Sequence, residues 1–79
     1  MTNLEKINHV LKNKRIDTII VSGQLKFDGR LTFHAPQFTT KKINNGLFIS
    51  KDDENFITIK ESYLYDVYHQ DQLLFIELK

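Results

Sequence analysis

The chain has no cysteine, no tryptophan, one proline and three glycines in 79 residues. Without cysteine there is no disulfide scaffold, no thiolate metal site and no cysteine nucleophile, which suits a reducing compartment. With so little proline and glycine there is no linker, low-complexity tract or internal repeat. No apolar run approaches the roughly 20 residues of a membrane-spanning helix. The opening MTNLEKINHVLKNK carries charges where a secretory leader would be apolar, so a cytoplasmic protein is expected. Alanine occurs once, at Ala35, whereas Ile, Lys, Asn and Phe are frequent. AT-rich codons favour those residues, which points to a low-GC bacterium or a phage of one.

The length fits one domain, residues 1–79. A chain of this size buries roughly 60–65% of its unfolded surface. Ordering each backbone residue costs roughly 1–2 kcal/mol. The core therefore needs most of the Ile, Leu, Val and Phe side chains, and little remains to line a deep cleft. The expectation is a binding protein that is not an enzyme, with no cofactor, no metal and no small-molecule substrate.

One switch of period sets the fold class. Thr2 and Glu5 have capping-box spacing. Leu4, Ile7, Val10 and Leu11 then form one helical stripe. Lys12, Lys14 and Arg15 fall where a helix dipole favours cations. The spacing predicts a helix over residues 1–15. Beyond it, over residues 16–79, the apolar residues alternate or cluster as strands do.

Residues 16–21 are β-branched and read as the first strand, broken by Ser22-Gly23. Asp28-Gly29 is either a hairpin turn between Phe27 and Arg30 or the bend in one continuous strand over 25–33. The bent strand is preferred. His34-Ala35-Pro36-Gln37 reads as a loop. Residues 38–43 read as an edge strand protected by Lys41 and Lys42. Turns at Asn44-Asn45-Gly46, at residues 51–55 and at 69–72 separate strands at 47–50, 56–59 and Leu73–Leu78. Residues 61–68 fit a strand or a helical turn. The expected fold is mainly β with one N-terminal α-helix (α+β), a small curled antiparallel sheet or barrel of about five strands.

Ser22-Gly23 followed by Gly29, with Phe27 and Leu31 beside it, resembles the Sm-like small barrels, a relative of the SH3-like architecture. Those proteins carry a glycine-ended turn after strand one and a glycine in a bent strand two. Ile57-Thr58-Ile59-Lys60, then Leu64 and Val67, is similar to the family's second half. The resemblance implies a small β-barrel that acts by binding. His34-Ala35-Pro36 stands where RNA-binding members have Asp and Asn, and no Arg-Gly pair occurs near Lys60-Glu61. No binding residue is therefore carried over.

Charge is uneven along the chain. Residues 1–45 hold eight basic against three acidic residues, a net of +5, and residues 46–79 hold three against seven, a net of −4. The basic set Lys12, Lys14, Arg15, Lys26, Arg30, Lys41 and Lys42 would contact phosphates if it gathers on one face. Nucleic-acid binding through this half is the leading expectation. The alternative is a protein partner or inhibited enzyme bound by the acidic half, where Tyr63, Tyr65 and Tyr68 stand among Glu61, Asp66 and Asp71. As a strand, this segment would place Tyr63, Tyr65 and Val67 on one face and Leu64 and Tyr68 on the other. Self-association through an unpaired last strand, Leu73–Leu78, is a third route. His9, His34 and His69 have no ligand spacing, and the run Asp52-Asp53-Glu54 reads as a solvated turn.

Overall fold

The computed structural model describes residues 1–23 and 29–79, with the backbone alone for Gly29 and Arg30. The chain runs α1 (Asn3–Asn13), β1 (Thr18–Gly23), β2 (Gly29–His34), β3 (Thr39–Ile43), β4 (Gly46–Ser50), β5 (Phe56–Lys60), a 3-10 turn at Glu61–Tyr63, β6 (Leu64–Gln70) and β7 (Leu73–Leu78). The protein is α+β and mainly β, as its periodicity predicts.

The capping box forms as read. The Glu5 amide donates to Thr2 Oγ1 at 3.1 Å, and the Thr2 amide donates to Glu5 Oε1 at 3.1 Å. Ile7 and Val10 are buried, and Leu4 and Leu11 pack half-buried beside them. Three turns of helix are marginal alone, so this face needs the sheet beneath it.

The strands form two sheets, ordered β2-β1-β7-β6 and β3-β4-β5, and neither closes into a barrel. The barrel expected from the Sm-like resemblance is thus replaced by two packed sheets. Seven strands stand among the described residues where about five were expected, because each short β-rich segment forms its own strand.

The sheet is also not wholly antiparallel, since β1 and β7 run parallel. The amides of Asp17 and Thr18 both donate to the Gln72 carbonyl, at 2.9 and 3.3 Å. That contact sets the two strand starts side by side. It leaves β7 between β1 and β6 with both edges paired, so the expected self-association through an open Leu73–Leu78 edge has no edge to use.

The choice between a hairpin turn at Asp28-Gly29 and a bent strand over 25–33 falls on residues 24–28, outside the described residues. The flanking ladder is clear: β1 and β2 are antiparallel, with Gly23 opposite Gly29. The proline loop forms as read, and its Ala35–Pro36 peptide bond is cis.

One apolar core lies between the two sheets and the helix. Ile19 and Val21 of β1, Leu74 and Ile76 of β7, Leu47 and Ile49 of β4 and Ile59 of β5 are almost wholly enclosed. Among the described residues no polar or charged side chain is buried.

Candidate functional site

The described members of the expected basic set do not share one face. Lys12 lies in the last turn of the helix, and Lys14 is its C-cap. Arg15 pairs with Asp17, Nε to Oδ1 at 3.5 Å. Lys41 and Lys42 are adjacent on β3, so they point to opposite faces. Lys42 is opposite Leu47, which faces the core, whereas Lys41 is opposite Phe48 on the outer side. Lys26 and the side chain of Arg30 lie outside the described residues.

The tyrosines follow a different rule from the expected alternation. Leu64 pairs with Leu78, but Asp66 pairs with Glu77, so Tyr65 is an extra residue in β6. Such a bulge shifts the strand by one residue. Leu64 and Val67, three apart, are both buried as a result. The expected grouping of Val67 with Tyr63 and Tyr65 is therefore overturned, and so is that of Leu64 with Tyr68. Tyr65 is 68% exposed at the bulge. Tyr63 lies in the 3-10 turn, where its carbonyl accepts the Lys79 amide at 2.9 Å. Tyr68 joins a wider feature.

Opposite the core, the four-stranded sheet presents a second face. One row crosses all four strands: Thr32, Ile20, Phe75 and Tyr68. The rings of Tyr68 and Phe75 stack with centroids 4.8 Å apart and planes at 14°. The next row is Arg30, Ser22, Glu77 and Asp66, with the Arg30 side chain outside the described residues. Asp66 and Glu77 are direct cross-strand neighbours, a like-charge pairing that destabilises a sheet. The strands β1, β6 and β7 contain no lysine or arginine. Neither carboxylate is in an ion pair among the described residues; Glu77 accepts the Tyr68 hydroxyl at 3.3 Å, and Asp66 accepts the Val67 amide at 2.9 Å.

The outer face of the three-stranded sheet has the opposite charge. Lys41, Phe48 and Thr58 form one row across it. Phe56 and Lys60 alternate onto the same side, away from the buried Ile59. Phe48 and Phe56 meet with centroids 5.5 Å apart, and Phe56 is 54% exposed. The sequence signal for this face was the alternation Phe56, Thr58, Lys60, which reads only as a strand until β4 is laid beside it.

The acidic turn is a structural device. Asp52 Oδ1 accepts the Glu54 amide at 2.9 Å, the Asn55 amide at 2.8 Å and Asn55 Nδ2 at 2.9 Å. The Glu54 amide, then Asn55, hold the Asp52 carboxyl below its ordinary value. Bonds to Thr2, the backbone one first, do the same for Glu5. Both groups are depressed in the folded chain, so the stability they add is complete above the ordinary carboxylate range, roughly pH 4–4.5. It is lost as pH falls through their lowered folded values. Urea midpoints measured between neutral and acid pH should therefore fall on acidification, and Glu5→Gln with Asp52→Asn should flatten that fall. An unchanged slope would mean that neither group carries it.

Among the described residues no group of three or more His, Cys, Asp or Glu side chains could hold a metal ion. No helix among them is long and apolar enough to cross a membrane. Comparison with protein-family models, with curated proteins and with solved structures finds no match to this chain. The two outer faces are therefore read from their own chemistry.

Proposed function

We propose that this protein is a non-enzymatic binding module that docks a basic protein surface on the outer face of its four-stranded sheet. The carrying observation is the Asp66–Glu77 neighbour pair, which has no ion pair among the described residues, beside the Tyr68–Phe75 stack. Two adjacent carboxylates repel each other, and an arginine or lysine brought by a partner relieves that cost while the aromatic pair supplies apolar contact. The face is four strands wide, which suits a protein surface.

Immobilised protein should capture a partner from lysate of a low-GC bacterium. Glu77→Lys and Tyr68→Ala should each release it while far-UV circular dichroism stays unchanged. Capture indifferent to both substitutions would exclude this face.

A second reading, nucleic-acid binding, is favoured by Lys41 and Lys60 beside the exposed Phe56 on the other sheet. Cations with aromatic rings serve phosphate contact and base stacking. Fluorescence anisotropy with random single-stranded and duplex oligonucleotides separates the two readings. Binding at physiological salt that weakens steeply with added salt and is lost in Lys41→Glu with Lys60→Glu supports the nucleic-acid reading. Loss on replacing Lys12, Lys14 and Arg15 with Glu would instead place it at the helix end.

A further inference from the structure

A groove of about 350 Å³ lies between α1 and β6. Its nitrogen-bearing side chains are Lys6, His9 and His69, and its apolar floor is Val10 and Val67, with Met1 and its amino group and Tyr68 at the sides. No carboxylate lines it. The walls are fixed by both elements. Lys6 and His9 are three residues apart, so they share one flank of the helix. His69 pairs with the buried Leu74, which puts it on the core-facing side of β6 but at the sheet edge, toward the helix. Asn3 Nδ2 donates to the Tyr65 carbonyl at 3.2 Å and ties the start of α1 to β6.

Asn13 sets the chemistry of His9. Its Nδ2 donates to the His9 carbonyl at 2.9 Å and lies 3.2 Å from His9 Nδ1. An amide nitrogen only donates, so Nδ1 is the acceptor and the neutral ring keeps its proton on Nε2. His9 thus offers an N–H donor without needing to be charged. Lys6 supplies an ammonium group and His69 a second imidazole.

We propose that this groove binds a small organic anion, with its carboxylate or phosphate at Lys6, His9 and His69 and its apolar body on Val10 and Val67. A site of one charge sign above an apolar floor selects a ligand with both parts. Inorganic anions lack the body, and neutral aromatics lack the charge.

Phenylphosphate tests this by amide and histidine-ring NMR, with inorganic phosphate and benzyl alcohol as controls. Saturable shifts at Lys6, His9, Val67 and His69 are expected, with a Kd of about 1 mM or tighter, and each control should bind at least about tenfold more weakly. Lys6→Gln with His69→Gln should weaken phenylphosphate by about tenfold or more and leave the melting curve unchanged; both side chains are exposed. Shifts that do not saturate, inorganic phosphate binding as tightly as phenylphosphate, or a double variant that binds like wild type would each overturn the proposal.

Discussion

Ile76→Ala should bring the domain to the edge of unfolding. Ile76 is fully enclosed on the central strand β7, with Val21 opposite it on one side and Val67 on the other. Removing its methyl and methylene groups loses their transfer energy and leaves a cavity, a cost of about 2–5 kcal/mol. A chain this size has a total stability of about 4–12 kcal/mol, at roughly 0.05–0.15 kcal/mol per residue. The substitution therefore removes a large share of it. Urea unfolding followed by far-UV circular dichroism should show a strongly lowered midpoint, whereas Tyr65→Ala at the exposed bulge should stay within about 0.5 kcal/mol of wild type. Equal midpoints for Ile76→Ala and wild type would mean that β7 is not the centre of the core.

Gly46→Ala is expected to be the next most damaging small change. A Cβ at this position would stand 2.5 Å from the Ile59 carbonyl oxygen and 3.3 Å from the Ile43 side chain. The Ile59 oxygen belongs to the neighbouring strand's backbone, so relief requires β4 and β5 to separate. Alanine lowers unfolded-chain entropy and so favours the folded variant by about 0.4–1 kcal/mol. Overpacking opposes this with about 1–3 kcal/mol, and the clash with backbone puts the cost toward the upper end. A net loss of about 1–2 kcal/mol should appear in the same urea assay. Asn45→Gly is the control, because Asn45 already sits at φ 56°, where glycine is free of strain. A Gly46→Ala variant as stable as wild type would show that the hairpin has room to open.

The helix was fully legible in the chain, because its signals are local. Thr2 and Glu5 cap it, four apolar residues stripe it, and each interaction spans at most one or two turns. The lysines of β3 marked an edge strand for the same reason, since Lys41 and Lys42 would be intolerable between two partners and the strand is indeed outermost. The turn at Asn44-Asn45-Gly46 and the strand Leu73–Leu78 were also visible. The segment over 61–68, open between a strand and a helical turn, resolves into both: a 3-10 turn and then β6. The bulge at Tyr65 was hidden. Alternation assumes one residue on each strand per rung, and nothing in Leu64-Tyr65-Asp66 announces an extra one.

The candidate sites were less legible than the fold. The sequence singled out Tyr68 but not its stack with Phe75, and Lys41 but not its neighbours Phe48 and Lys60. His9 and His69 are 60 positions apart and have no spacing that links them, yet they line one groove. The uneven charge along the chain did survive folding, though in altered form. The acidic residues Asp66 and Glu77 meet on one sheet, while the basic face of the other draws Lys41 from the first half and Lys60 from the second.

By itself, the sequence determined the class of the protein: one capped helix, a set of short strands, and a single apolar core with no disulfide to support it. These follow from residue type and short-range spacing, which act before any long-range contact exists. Only the tertiary structure decided that the strands form two open sheets and that β7 lies parallel to β1. It also decided that, among the described side chains, the two outer faces carry opposite charge. The physical reason is that strand pairing is a contest between distant segments for the same hydrogen bonds and the same buried face. Its outcome depends on which pairing encloses Ile19, Val21, Leu74 and Ile76 together, and no local pattern records that.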